Sequence, residues 1–380
     1  MSIRQSEKIF LAAMYLAAIL LGMETGGFQY IVLKVSEHYG LSQAAMGSLI
    51  SLHFIAVVVI PPIFGSVSDR VGKRKVTYLF CGVFLLGAAV CCLSSTVSGF
   101  SIGIFCAGGA FGTLVTTCQS ALSDSYPGEA GKATSRFQGA LGAGCVLSPL
   151  LISFTMEALH CSWRILFVIC GSGFLTITLM LPMCLYPEGS SVTKTSTGSR
   201  SKSIFSRTLA GVLAGIFMYM FIETVFTYFL DSFFVKVLDA SGLSAPALSA
   251  FWAMIAVTRL AAGRLYRYHR IILPLALVFS VIMILLMGRA ADPRIAVLLS
   301  GISGIAFAPV WPFLLGLATD RYSERAGFVT GLVMLMDGCG AAIAPVVVGL
   351  VSDAIGLQTA FSMLSVVGAA SIISYIVFLK

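Results

Sequence analysis

Long apolar runs separated by short polar loops set the pattern of this chain. Twelve predominantly apolar stretches, some interrupted by Gly or Pro, qualify: 9–33, 44–66, 75–94, 98–122, 134–156, 163–186, 208–233, 245–263, 271–289, 294–317, 327–351 and 357–379. A helix rising 1.5 Å per residue crosses about 30 Å of hydrocarbon with about 20 residues, so each stretch predicts one spanning helix. Strands of an outer-membrane barrel would alternate apolar and polar positions, and these runs do not. The longest polar interval, 188–207, is rich in Ser, Thr, Lys and Arg. It divides the chain into an N-terminal six-helix bundle (1–187), a cytoplasmic linker (188–207) and a C-terminal six-helix bundle (208–380). The expected fold is therefore an all-α membrane protein with twelve transmembrane helices in two bundles.

Composition removes the soluble alternatives. Of 380 residues, 58% are hydrophobic and 11% charged, where soluble domains carry about 25% charged residues. Mean hydropathy is +0.97. The net charge of +8 does not predict a nucleic-acid partner, because the basic residues sit in short loops between apolar runs. With the N-terminus inside, eighteen of the 24 Lys and Arg fall on inner segments. Lys34, Arg164, Lys236, Arg289 and Arg294 fall on outer ones, and Arg259 lies within a span. That asymmetry fits the positive-inside rule and puts both termini in the cytoplasm of a cell (inner or plasma) membrane. Nine of the ten cysteines lie inside apolar runs and no C-x-x-C pair occurs. Neither disulfides nor a metal site are expected. The first run follows Arg4 and Lys8, has no small-residue cleavage site at the right distance, and reads as a retained span.

The two halves repeat one another. At an offset of 196, Asp124, Tyr126, Ala130-Gly131, Thr134, Gly142, Gly144 and Pro149 meet Asp320, Tyr322, Ala326-Gly327, Thr330, Gly338, Gly340 and Pro345. At an offset of 199, Glu24-Thr25 meets Glu223-Thr224. Six spans per half make these parallel, pseudo-symmetric repeats, whose substrate sites lie between the halves near the bilayer midplane.

Between the second and third spans stands Gly65-Ser66-Val67-Ser68-Asp69-Arg70-Val71-Gly72-Lys73-Arg74-Lys75. It resembles the inner-loop signature G-x-x-x-D-R-x-G-[RK]-[RK]-[RK] of the major facilitator superfamily, and the resemblance extends over essentially the whole chain. Gly65 is expected to let a neighbouring helix approach, Asp69 to face a helix N-terminus and nearby cations, and Gly72 to turn the chain. The resemblance implies a conformational latch formed by Gly65, Asp69, Arg70, Gly72, Lys73 and Arg74, with Asp124 as a partner for Lys73 or Arg74. In the second half Gly263-Arg264-Leu265 is the remnant of the signature, with Arg259 and Asp320 as its weaker latch. Phe251-Trp252-Ala253-Met254 and Ala308-Pro309-Val310-Trp311-Pro312 resemble spans of sugar transporters in the fucose:proton symporter branch. Where that branch has acids in spans one and four, this chain has Gln29 and Gln119. Gly144-x-x-x-Ser148-Pro149 is a partial version of the antiporter signature G-x-x-x-G-P.

Ionisable side chains in mid-membrane are costly and persist where they face a cavity or a partner. Glu24, Glu223 and Asp337 are such acids, and Asp231 lies nearer the outer end of span seven. A carboxyl group withheld from water can exchange protons near neutral pH. The expected substrate and proton site comprises Glu24, Gln29, Gln119, Tyr219, Glu223, Thr227, Trp311 and Asp337. Tyr219 and Thr227 lie one turn before and after Glu223 and share its face. Gln29 and Gln119 offer amide groups to a polar ligand, and Trp252 and Trp311 either stack on a ligand or pack. Gly26 and Gly27 either bend the first span or pack it closely, and His53 reads as a packing histidine.

No G-x-x-x-x-G-K-[ST] loop occurs, so an ion or solute gradient, not ATP, is the expected driving force. The expected function is secondary transport of a small solute, a sugar or other polar metabolite, by proton symport. Proton-coupled drug or metabolite efflux is the alternative, and a receptor that binds without translocating is another. The clustered His/Cys set or loop nucleophile of a membrane enzyme is missing, so no catalytic residues are assigned. No cofactor or nucleic acid is expected; the partners are substrate, protons or another coupling ion, and lipid, and the chain is expected to be a monomer.

Overall fold

A computed structural model describes residues 3–184, 186, 206–322 and 325–379. The expected linker 188–207 lies outside the described residues except for Ser206 and Arg207. The described chain forms α1 (Ile3–Tyr39), α2 (Gln43–Val71), α3 (Lys73–Leu93), α4 (Val97–Ser125), α5 (Ala130–Ala158), α6 (Ile165–Met180), α7 (Arg207–Lys236), α8 (Ser244–Leu265), α9 (His269–Gly288), α10 (Pro293–Phe307), α11 (Val310–Arg321), α12 (Ala326–Ile355) and α13 (Leu357–Phe378). Among the described residues twelve helical stretches are long and apolar enough to cross a membrane. Local chemistry sets the boundaries. Ser42, Thr96 and Ser206 accept a backbone N–H in the first turns of α2, α4 and α7. Gly72 turns α2 into α3 at φ 96°, and Gly356 turns α12 into α13 at φ 89°, values at which a side chain would be strained.

One span departs from expectation. The tenth is broken at Ala308-Pro309 into α10 and α11. Pro309 cannot donate a backbone hydrogen bond, and Pro312 is tolerated only because it falls in the first turn of α11. The break starts a new helix just before Trp311.

Small residues set how closely helices meet. α1 is unbroken through Gly26 and Gly27, so these glycines pack the span and do not unwind it. A methyl group built on Gly26 would stand 2.5 Å from the carbonyl oxygen of Cys145 on α5. One on Gly144 would stand 2.8 Å from the Met23 amide nitrogen. Ser148 Oγ donates to the Met23 carbonyl at 2.6 Å. The partial antiporter signature therefore serves here as the seat of α1 on α5. The second half repeats the device, with Gly340 of α12 against the Phe217 carbonyl of α7.

Between the halves, α2 packs on α12, α5 on α8 and α1 on α7. The contact of α2 with α12 is tightest on the face opposite the chain ends, here the far face. A methyl group on Gly47 would stand 2.6 Å from the Pro345 carbonyl carbon, and one on Gly349 2.8 Å from Ala44 Cα. Towards the terminal face, Gly65 of α2, Gly139 of α5 and Gly331 of α12 have nothing within 4 Å of such a methyl group.

Gly144→Val forces a branched side chain into the α1 backbone. The expected loss is about 1–3 kcal/mol, read as a lower thermal unfolding midpoint in detergent. Gly139→Ala, facing open space, is expected to leave the midpoint unchanged or slightly raised.

Candidate functional site

The acids in the middle of the spans, Glu24, Glu223 and Asp337, lie on helices of the seam between the halves, in two groups of opposite character. In the C-terminal half the acids are partnered. Tyr219 donates its hydroxyl proton to the carboxylate of Glu223, one turn later on α7. Trp311, placed at the start of α11 by the Pro309 break, donates Nε1–H to Asp337 Oδ1 at 2.7 Å. The Arg259 guanidinium on α8 acts electrostatically on both Glu223 and Asp337. Thr227 shares the helix but not the cluster: its hydroxyl donates to the Glu223 backbone carbonyl at 2.9 Å. Across the seam, Trp252 Nε1 on α8 donates to Gln29 Oε1 on α1 at 2.8 Å. Gln119 lies half-buried on α4, outside these bonded pairs.

In the N-terminal half the acid has no partner. Glu24 on α1 is 0% exposed, and neither carboxylate oxygen has a hydrogen bond. His53 on α2 points Nδ1 at Glu24 Oε1 across 3.7 Å, and that nitrogen too lacks a hydrogen bond. Phe28, Phe54 and Phe111 surround the imidazole, with ring centroids 5.6, 5.5 and 6.1 Å away. Tyr228 of α7 comes from the other half, edge-on to Phe28 at 5.7 Å and to Phe54 at 5.6 Å. Its hydroxyl is buried and unpartnered. His53 and Tyr228 are the residues that the sequence reading left out of the site. The signal for His53 was present, a lone imidazole in an apolar run. What could not be read was that the helix phases of α1 and α2 turn it onto Glu24.

The loop signature is only partly assembled. Lys73 forms an ion pair with Asp124, and Arg74 donates to the Pro182 carbonyl at 3.0 Å. Arg70 is exposed, and the side chain of Asp69 lies outside the described residues. Gly65, expected to receive a neighbouring helix, faces open space, because α12 contacts α2 on the far side of the seam and not here. Asp320 accepts from the Tyr266 hydroxyl at 2.7 Å. Its hydrogen-bond partner is therefore Tyr266.

The far face is closed by charge as well as packing. Lys34 of α1 bonds both oxygens of Asp231 on α7, at 2.9 and 2.7 Å. Asp353 at the end of α12 accepts the backbone N–H groups of Gln43 and Ala44, each at 2.9 Å, and so caps the start of α2 from the opposite half. The cross-half hydrogen bonds and ion pairs named here all lie in the far portion of the spans or near their middle.

With this geometry in hand, the pattern that defines the Major Facilitator Superfamily matches residues 14–288 and 249–380. The chain belongs to that superfamily, and its twelve described helices of spanning length make it a multi-pass membrane protein. Among curated relatives, the probable metabolite transport protein CsbC of Bacillus subtilis (strain 168) is 24% identical over 46% of this chain and 37% of its own length. Multidrug resistance protein 3 of the same organism is 29% identical over 29% of this chain. The match spans only 22% of that relative. Among solved structures, that of a D-xylose-proton symporter superposes with a TM-score of 0.80 at 15% identity, covering 100% of this chain and 98% of that one. This likeness establishes the shared fold.

Lys34→Met strands the Asp231 carboxylate, 1% exposed, without its cation. For a fully buried pair such a loss costs about 3–5 kcal/mol; the cost is smaller here because Lys34 itself is 21% exposed. The expected outcome is faster amide hydrogen exchange at the far-face ends of α1, α2, α7 and α12, with exchange at the terminal ends unchanged.

Proposed function

We propose that this chain is a proton-coupled secondary transporter that carries a small polar solute, a sugar or related metabolite, by alternating access. The observation that carries the reading is the placement of three carboxyl groups, Glu24, Glu223 and Asp337, along one seam whose cross-half bonds, among those named above, lie on the far face or near the middle of the spans. An acid in such a place is kept out of water in one conformation and reached by it in another, which is the requirement for moving a proton with a solute. Partly assembled contacts around Gly65 agree with a latch that engages only when the terminal face closes. In this reading Gly65, Asp69, Arg70, Gly72, Lys73, Arg74 and Asp124 form the latch of the first half, and Asp320, bonded to Tyr266, belongs to that of the second.

The solute contacts are assigned to Glu223 with Tyr219, Asp337 with Trp311, and Gln29, Gln119 and Thr227. Carboxylates and amides arranged beside indole faces suit a ligand with several hydroxyl groups and an apolar ring face. The terminal face is assigned to the cytoplasm of a cell membrane from its excess of Lys and Arg, so the described conformation is open inward. The two halves complete the seam within one chain, which supports a monomer. Proton-coupled efflux of a drug or metabolite is the second reading. It draws on the segment shared with Multidrug resistance protein 3 and on Gly144-x-x-x-Ser148-Pro149.

A thermal-shift screen of sugars, nucleosides, organic acids and cationic drugs against the purified protein identifies the solute, because a ligand raises the unfolding midpoint. In vesicles an imposed proton gradient is then expected to accumulate that solute. Glu223→Gln is expected to lower its affinity by about tenfold or more, about 1.4 kcal/mol. A panel in which only cationic drugs bind, with proton-driven extrusion, would replace the first reading by the second.

A further inference from the structure

The two acid groups of the seam are not equivalent, and the difference points to what each one holds. Glu223 and Asp337 already have donors in Tyr219 and Trp311. Glu24, His53 Nδ1 and the Tyr228 hydroxyl are all buried and all lack a partner. A buried polar group left unsatisfied is expensive, and three together mark a missing ligand. The space between them says how large that ligand can be. Glu24 is fully enclosed, and only 3.7 Å separates its Oε1 from His53 Nδ1; Phe28, Phe54 and Phe111 pack round the imidazole, and Tyr228 packs edge-on against Phe28 and Phe54. A solute does not fit there; a proton does.

We propose that Glu24 and His53 form a single proton-binding dyad, closed by Tyr228 of the opposite half. The proposal rests on the proton-coupled reading and names the proton's seat within it. A proton taken from water converts the carboxylate and the neutral imidazole into a carboxylic acid whose Oε1–H donates to Nδ1. Release returns the same proton to water, and only that O–H bond forms and breaks. Loaded, the pair carries no net charge; empty, it carries one negative charge. Besides His53, the titratable groups on the packed helices that interact electrostatically with Glu24 are Tyr228 from α7, Cys145 from α5, Cys170 from α6 and Cys91 from α3. The Ile104 backbone on α4 meets the imidazole. Among the described residues no Lys or Arg pairs with Glu24, so the proton is what can neutralise it. Tyr228 belongs to α7 and moves with the C-terminal half. Separating the halves at the far face withdraws that ring from Phe28 and Phe54 and lets water in. Access to the dyad is thereby tied to the same movement that exposes the solute.

Infrared difference spectra of the purified protein, stepped in pH without solute, read the dyad directly. The expected result is a carboxylic-acid C=O stretching band that disappears as pH rises, is absent in Glu24→Gln and is unchanged in Glu223→Gln. His53→Gln and His53→Asn are each expected to keep the band and move its midpoint by about one pH unit or more, tenfold in proton affinity. Monodisperse elution of each variant establishes that it is folded. A band that survives in Glu24→Gln, or that keeps its midpoint in both His53 variants, overturns the dyad. Vesicle transport separates this from the parent reading. A dyad that titrates as described while a proton gradient drives no solute would refute coupling alone. Gradient-driven uptake with an unaltered band in the His53 variants would refute the dyad alone.

Discussion

A carboxylate withheld from water must be neutralised, bonded or paired, and this protein treats its buried acids in all three ways. Asp231 is paired with Lys34. Glu223 and Asp337 are bonded to aromatic donors. Glu24 has nothing but an imidazole 3.7 Å away. All four lie on helices of the seam between the two halves. The cost of leaving any of them exposed to hydrocarbon confines the chain to arrangements in which this seam stays enclosed or opens to water.

The packing makes such a seam able to shift. Within each half, glycines let backbones meet without intervening side chains, as α1 meets α5 at Gly26 and Gly144 and α7 meets α12 at Gly340. Those contacts leave no room for sliding, so each half moves as a unit. Between the halves the bonded contacts concentrate on the far face. An ion pair and a helix cap can be exchanged for water at modest cost, whereas a backbone-to-backbone glycine seat cannot. The difference predicts where the molecule hinges and where it does not.

Much of this was legible in the sequence, for identifiable reasons. Hydrocarbon thickness fixes span length, so twelve spans could be read from apolar runs alone. Charge asymmetry and the matched pairs Asp124 and Asp320, Gly144 and Gly340, Glu24 and Glu223 exposed the repeat. Four things were not legible. The break at Pro309 fell inside 294–317, which length and composition mark as one span. Arg259 was read as a partner of Asp320, because sequence spacing does not reveal which way a helix turns a long side chain; Tyr266 holds that place. His53 was read as packing, since its meaning depends on the relative phase of α1 and α2, which only the assembled bundle supplies. Lys34 and Asp231, likewise, are 197 residues apart and meet only when the halves do.

The central claim is that protonation of buried acids governs which face of the seam is open. Spin labels introduced through non-natural residues at Glu37 and Lys236 report the far face, and labels at Arg70 and Phe328 report the terminal face. Distance distributions from pulsed electron resonance, taken across a pH series in lipid nanodiscs, then follow both at once. The account predicts reciprocal changes, one pair lengthening as the other shortens, and no pH response once Glu24 is replaced by Gln. Two pairs that stay fixed across the series, or that lengthen and shorten together, would contradict it.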